Sequence, residues 1–328
     1  MLKQFVFIGS LSLTVAAFGA VKNEPISPIS LPKISDAKKV ELGKKLWFET
    51  RLSKSGFLSC NSCHNIMKSG TDNLKSSIGH KWHLGPINSP TVFNAKYNIA
   101  QFWDGRAANL KEQAKGPIAN PGEMASDHTL AVKVLKSIPE YNKEFMSVYG
   151  KSGVNIENIA DAIASFEETL VTPNAPFDQW LKGKENAISQ LAKKGYNLFK
   201  STGCVSCHNG PAVGGNMYQK FGIVKAYNKN DKNLGRYAVT KKESDKFVYK
   251  VPTLRNIEFT YPYFHDGSVW NLGEAVKIMA DVQLGKKLKN SEVDAIVAFL
   301  KTLSGDRPQI TLPLLPPNSA ETPNPVVR

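Results

Sequence analysis

All four cysteines of this 328-residue chain fall in two copies of one five-residue pattern, "CNSCH" at residues 60–64 and "CVSCH" at residues 204–208. Two thiols three positions apart can bond the two vinyl groups of one haem, and the histidine that follows can reach the iron from one side. A thioredoxin-like redox pair and a zinc site are the rival uses of C-x-x-C. One copy would be weak evidence. Two copies with no cysteine to spare, in a chain that opens like an exported one, favour c-type haem. Cys60, Cys63 and His64 then form one attachment site, and Cys204, Cys207 and His208 a second.

The sequence around these motifs is duplicated. "LGKKLWF" and "KGYNLFK" precede the two motifs, and each reads Gly, two residues, Leu, aromatic. The glycine would let another helix approach closely. "PTVFNAKYNIAQFWDG" (90–105) aligns with "PTLRNIEFTYPYFHDG" (252–267) at an offset of 162, which carries Leu110 and Glu112 onto Leu272 and Glu274. "DAIASFEETL" (161–170) matches "DAIVAFLKTL" (294–303). Ile159, Ile163 and Phe166 are at helical spacing, as are Val293, Ile296, Val297 and Leu300, and such stripes face a core. Ser291 followed by Asp294 reads as a helix start.

The duplication separates the two sites. Met279 lies on the helical run "LGEAVKIM", and a thioether is a common sixth ligand that raises a haem potential. The same offset carries Met279 back onto Pro117, which has no ligating side chain. The first module instead has "SSIGHKWHLGPINSP" (76–90), where His80 or His83, on a glycine-flanked loop, can cap the iron and also leave it. The residues alone do not choose between the two. In "NPGEMAS", Glu123 is placed to take a proton from one peroxide oxygen and deliver one to the other; an ordinary solvated glutamate is the bland alternative. Trp103 occupies the place of His265 in the other module and can carry electrons between haems or simply pack. Met67, Met146, Met217 and His128 read as packing or surface residues.

Helices must position these groups, and the fold class expected is mainly α: two cytochrome c-like domains from an internal duplication, with haems on either side of the domain interface. Residues 1–20 have a lysine, an apolar run and small residues, the layout of a secretory signal peptide, with Gly19 or Ala17 at the cleavage position. The expected domains are 21–175 and 176–305, with the boundary within 171–186 and a Pro-rich tail at 306–328 that folds back or stays mobile. The net charge of +14 invites a nucleic-acid reading, but the basic residues are scattered in a chain expected to be exported. No nucleic acid and no membrane insertion after signal removal are expected. The charge instead suits attraction of an acidic partner protein.

The motifs "CNSCHN", "SIGH", "GPINSPTVFN", "QFWDGRA", "EM", "CVSCHNG", "VPTLRN", "YPYFHDG" and "EAVKIM" occur in the order of bacterial dihaem cytochrome c peroxidases, and the chain resembles that family from about Pro28 to Arg307. The resemblance implies two covalently attached haem c and a calcium ion at the domain interface. It implies that His64 and His80 ligate the peroxidatic haem, and that His208 and Met279 ligate a high-potential, electron-accepting haem. Trp103 corresponds to the residue between the haems and Glu123 to the acid/base residue, with Gln113 nearby. Asn88, Thr260 and Pro262 correspond to calcium-binding positions. The implied activity is periplasmic reduction of hydrogen peroxide to water by a small cytochrome c or cupredoxin donor, in a homodimer. Three alternatives compete: a non-catalytic dihaem electron carrier, an oxidase of partner tryptophans with a tyrosine axial ligand, and a zinc-binding interaction protein. Pro117 opposite Met279 weighs against the first, and the Met279 match against the second.

Overall fold

The computed structural model describes residues 22–228 and 231–327; the expected signal peptide, residues 1–20, lies outside the described residues. In chain order the helices are α1 (Ala37–Phe48), α2 (Cys60–Cys63), α3 (Leu110–Ala119), α4 (His128–Lys136), α5 (Pro139–Tyr149), α6 (Ile156–Glu167), α7 (Pro176–Leu181), α8 (Gln190–Thr202), α9 (Tyr237–Thr240), α10 (Leu272–Leu284) and α11 (Asn290–Lys301). A single two-stranded ladder among the described residues pairs β1 (Tyr218–Lys220) antiparallel with β2 (Val248–Lys250). The chain is therefore mainly α, as its periodicity indicates.

Each half is built on a crossing of two helices at a glycine. A Cβ placed on Gly43 of α1 would stand 1.9 Å from the Ala162 carbonyl oxygen of α6, and one on Gly195 of α8 would stand 1.8 Å from that of Ala295 in α11. Only glycine lets these backbones touch. The apolar stripes close over the crossings. Ile159, Ile163 and Phe166 are buried with Leu42, Leu46 and Trp47 in one core. Ile296, Phe299 and Leu300 are buried with Phe177, Tyr196 and Phe199 in the other. Helix α11 starts at Asn290, earlier than Ser291 suggests, because the Glu292 carboxylate accepts the Lys289 N–H at 2.7 Å and satisfies an orphan donor of the first turn.

The repeat holds down to single caps. Asn109 and Asn271 cap α3 and α10, their side chains accepting the N–H groups of Glu112 and Glu274. Asn94 and Asn256 both take left-handed backbone, at φ 64° and 60°. Both donate to the same hydroxyl, Thr172 Oγ1, at 2.8 and 3.0 Å. The two modules thus meet at one fully buried threonine.

The first and last described segments each pack on the module farther away in sequence. Ile26 is buried in the second core, Glu24 accepts from Tyr196 at 2.8 Å, and Arg255 donates to the Ser27 carbonyl at 2.9 Å. In return the Pro-rich tail folds back on the first module. Arg51 donates to Asn318 Oδ1 at 2.6 Å and to the Pro316 carbonyl at 2.9 Å, and Val326 N–H donates to the Lys54 carbonyl at 2.8 Å. The stretch 171–186 also carries α7, whose Phe177 packs edge-on against Tyr196 and Phe299.

Candidate functional site

Cys60 and Cys63 form the single turn α2, which Ser62 caps by accepting the Ser59 N–H at 3.0 Å. Residues three apart on a helical turn face the same way, so both thiols address one haem edge. Cys204–Ser206 makes the equivalent 3₁₀ turn. In both copies the histidine N–H donates to the first cysteine's carbonyl, His64 to Cys60 and His208 to Cys204, each at 3.0 Å. Burial pushes the Cys60 thiol well up and raises Cys63 and Cys204 to about 11 each. A catalytic dithiol needs a depressed thiol, and Cys60, Cys63 and Cys204 are shifted the other way. Among the described residues no three His, Cys, Asp or Glu side chains converge as a metal site.

The histidines are oriented for a metal. His64 Nδ1 lies 3.0 Å from the Pro90 carbonyl and His208 Nδ1 lies 3.3 Å from that of Val213. Donating from Nδ1 fixes the tautomer that leaves Nε2 free as a ligand. Burial lowers the basicity of both imidazoles, His208 to about 4, so His208 is neutral and able to ligate near pH 7.

Cys204, Cys207, His208 and Met279 line one cavity of about 500 Å³, within the size range of cofactor sites. Apolar walls from Phe199, Leu272 and Ile296 surround it. Met279 projects from α10 into it, so the second module brings a histidine and a thioether to one space. At the equivalent place in the first module Pro117 lies inside α3. The residues of this cavity fit a covalently bound haem with His and Met ligands.

In the first module His80 stands on a hairpin. Gly79 N–H donates to the His83 carbonyl at 2.8 Å, Gly85 N–H to that of Ser77 at 2.9 Å, and Ile78 bridges Leu84. Lys81 and Trp82 are consecutive non-glycine residues in left-handed backbone, at φ 53° and 62°, a strain of about 1–3 kcal/mol each. The hairpin rests on the "NPGEM" turn. His80 N–H donates to the Glu123 carbonyl at 2.7 Å, and a Cβ on Gly79 would meet the Gly122 carbonyl oxygen at 1.9 Å. The His80 ring is buried, and its Nδ1 has no hydrogen-bond partner among the described residues. A ring nitrogen left this way fits a centre completed by an iron. His83 is exposed, its ring against Gly122.

Glu123 is half-buried beside this hairpin, and its Oε1 accepts from Asn120 Nδ2 at 2.8 Å. Burial raises its pKa above the ordinary carboxylate value, against the pull of Arg106 and Asn120. Its charge also raises the Cys63 thiol, which puts it near the first attachment site. Gln113 sits on α3, upstream of this turn, and makes no side-chain hydrogen bond among the described residues. Asn120 and Arg106 carry no motif of their own; only the turn "NPG" and the run "WDGR" could have flagged them.

Trp103 lines the second module's cavity although it belongs to the first repeat. Its ring contacts His265 at 6.2 Å and Tyr249 at 6.5 Å between centroids, and its Nε1 donates to the Asn88 carbonyl at 2.8 Å. Asn88, Thr260 and Pro262 line the same cavity. Asn88 N–H donates to the His265 carbonyl at 2.8 Å, and Asn73 Nδ2 reaches the carbonyls of Phe259 and Tyr261 at 2.8 and 2.7 Å. Gln113 aside, the sequence-derived set thus falls in two groups: the first attachment turn with Glu123 and the His80 hairpin, and the cavity lined by Cys204, Cys207, His208 and Met279 together with Trp103, Asn88, Thr260 and Pro262.

A family model described as di-haem cytochrome c peroxidase matches residues 37–186, and one described as cytochrome c matches residues 192–304. The cytochrome c551 peroxidase of Nitrosomonas europaea is 56% identical over 328 residues, covering 98% of this chain and 98% of that one. The cytochrome c551 peroxidase of Pseudomonas aeruginosa is 49% identical over 310 residues, covering 92% and 88%. Among solved structures, a MauG-like protein associated with microbial copper homeostasis shares the fold with a TM-score of 0.74 at 24% identity, covering 84% of this chain and 93% of that one.

Proposed function

This chain belongs to the di-haem cytochrome c peroxidase family, and from that premise we propose that it reduces hydrogen peroxide to two waters, taking two electrons from a small reduced cytochrome c and two protons from the medium. The observation that carries this reading is the asymmetry of the modules: Met279 and His208 line one cavity, whereas Pro117 holds the equivalent place and His80 comes from a strained hairpin. A pure electron carrier has no use for such a difference. Titrating reduced cytochrome c with peroxide tests the reading. Two cytochromes oxidised per peroxide consumed is the expected ratio, and peroxide loss without cytochrome oxidation contradicts it.

The two haem c groups, when bound, supply single-electron exchange and the redox power that splits the O–O bond. Cys60, Cys63, His64 and His80 would hold one, and Cys204, Cys207, His208 and Met279 the other. Everything else falls to the chain's own side chains. The hairpin 77–85 moves His80 away and admits peroxide; its left-handed residues favour release, and its hold on the Glu123 and Gly122 backbone favours closure. Such a loop is a two-state element that an electron in the second module biases. The Glu123 carboxylate takes the proton from one peroxide oxygen and returns one to the other. Trp103, which comes from the first repeat and lines the second module's cavity, passes the electrons from one site to the other. Gln113 assists at the same site.

A calcium ion at the seam belongs to this proposal, held by Asn88 with backbone carbonyls of Thr260 and Pro262. The seam joins a carbonyl-rich loop of one module to the other, which suits a hard cation that takes oxygen ligands. Chelation with EGTA is expected to lower the thermal midpoint and slow turnover, and added calcium to restore both. Unchanged melting and turnover after chelation, with calcium absent by elemental analysis, would remove the ion from the account. A periplasmic location and a homodimer complete the proposal. Among the described residues no helix is long and apolar enough to cross a membrane.

A further inference from the structure

Lys250 is buried in the second module's cavity with no counter-charge among the described residues. It ends β2, is 6% exposed, and lines the space shared by Cys204, Cys207, His208 and Met279. Its ammonium forms no ion pair or hydrogen bond among the described residues. The lining contains one other cation, the exposed Lys220, and no Asp or Glu. Burial presses the Lys250 ammonium down to about 8. A lysine normally keeps its charged head in water along a buried stem, and a buried cation without a counter-ion is strongly unfavourable. The contrast with Arg255 is direct: that guanidinium is also fully buried, but Asp178 pairs with it at 2.7 Å.

The strand fixes the direction in which the Lys250 side chain leaves the backbone. It pairs with Tyr218 in the ladder, and its N–H donates to the Trp103 carbonyl at 2.8 Å. Its neighbour Tyr249 stacks on His265 at 4.4 Å, and His265 is held by Asp231 at 2.6 Å. The buried side chain therefore lines the cavity that Trp103 also lines. A cavity with a fixed cation and no carboxylate of its own is built for a ligand that brings the anion.

Resting on the reading that a haem c occupies this cavity, we propose that Lys250 is the counter-ion of one of that haem's carboxylate side groups and raises the potential of the second centre. Haem c carries two such carboxylates. A nearby fixed positive charge favours the reduced, less positive iron. Lys250 is thus a positioning and tuning residue, one peptide contact away from Trp103, and acts through the cofactor rather than on peroxide.

Optical redox titration of the haem-loaded protein tests this with Lys250→Met and Lys250→Arg. In Lys250→Met the oxidised-to-reduced ratio of the second haem at a fixed ambient potential is expected to rise at least about tenfold, a fall of roughly 59 mV for one electron. The first haem should move less than about twofold, and Lys250→Arg should keep the second close to wild type, since guanidinium also pairs with carboxylate. If Lys250→Met does not fold, Lys250→Gln gives the same comparison. An unshifted second haem in the Met or Gln protein would overturn the proposal, as would an Arg variant shifted equally far. The spectrum of the wild-type protein separates this from the underlying reading: one haem per chain instead of two would sink the cofactor assignment itself, before any variant is compared.

Discussion

Replacing Glu123 with Gln is expected to cut peroxide-dependent turnover by about 10²–10⁴-fold, the range for loss of a positioned acid or base, while both haems remain attached. The amide keeps the shape and the Asn120 contact but cannot accept the proton. The backbone bond from His80 to the Glu123 carbonyl is untouched, so the hairpin stays seated. The pH profile gives a second reading. Burial raises the Glu123 pKa above the ordinary carboxylate value, so its base form is lost as pH falls through that raised pKa. The acidic limb of kcat/KM should therefore be shifted upward in the wild-type protein and vanish in Glu123→Gln. A variant within about threefold of wild type, with the limb unchanged, would show that the proton moves by another route.

Replacing His80 with Gly should make the fully oxidised protein active without prior reduction, at a rate within about threefold of reduced wild type. The switch is a competition between two states of the hairpin. The closed state has the Glu123 and Gly122 contacts and whatever the buried His80 ring binds. Against it stand two adjacent left-handed residues and an indole, Trp82, that is 85% exposed. Removing the ring removes a main reason to stay closed, so the open state no longer needs an electron to be populated. Stopped-flow mixing of oxidised His80→Gly with peroxide and reduced cytochrome c checks this. A variant that still requires prior reduction would place the switch elsewhere than in the His80 contact.

The parts legible in sequence were those governed by local pattern. Cysteine spacing gave both attachment turns, and the offset of 162 predicted paired features that recur as the Asn109 and Asn271 caps and as Pro117 against Met279. The helix crossings followed from Gly43 and Gly195, because a glycine before an aromatic on a helix marks a close approach. The parts that escaped depend on residues far apart in the chain. Thr172 joins Asn94 to Asn256, Asp178 neutralises Arg255, and the ends exchange modules through Ile26 and Arg51; none has a local signature. Lys250 reads as one more basic residue in a basic chain, and only the fold shows that its charge is buried. The choice of His80 over His83 needed family resemblance, since both lie between Gly79 and Gly85 on one loop. In the fold His80 is buried and His83 is exposed.

The most direct test is the steady-state oxidation of reduced cytochrome c by peroxide, with the two-haem protein added either fully oxidised or after one-electron reduction. Turnover that is slow from the oxidised protein and fast from the half-reduced one is the predicted result, because the first site must open before peroxide can enter. No turnover from either state, with both haems attached and the donor shown to reduce the second, would contradict the account and leave an electron carrier.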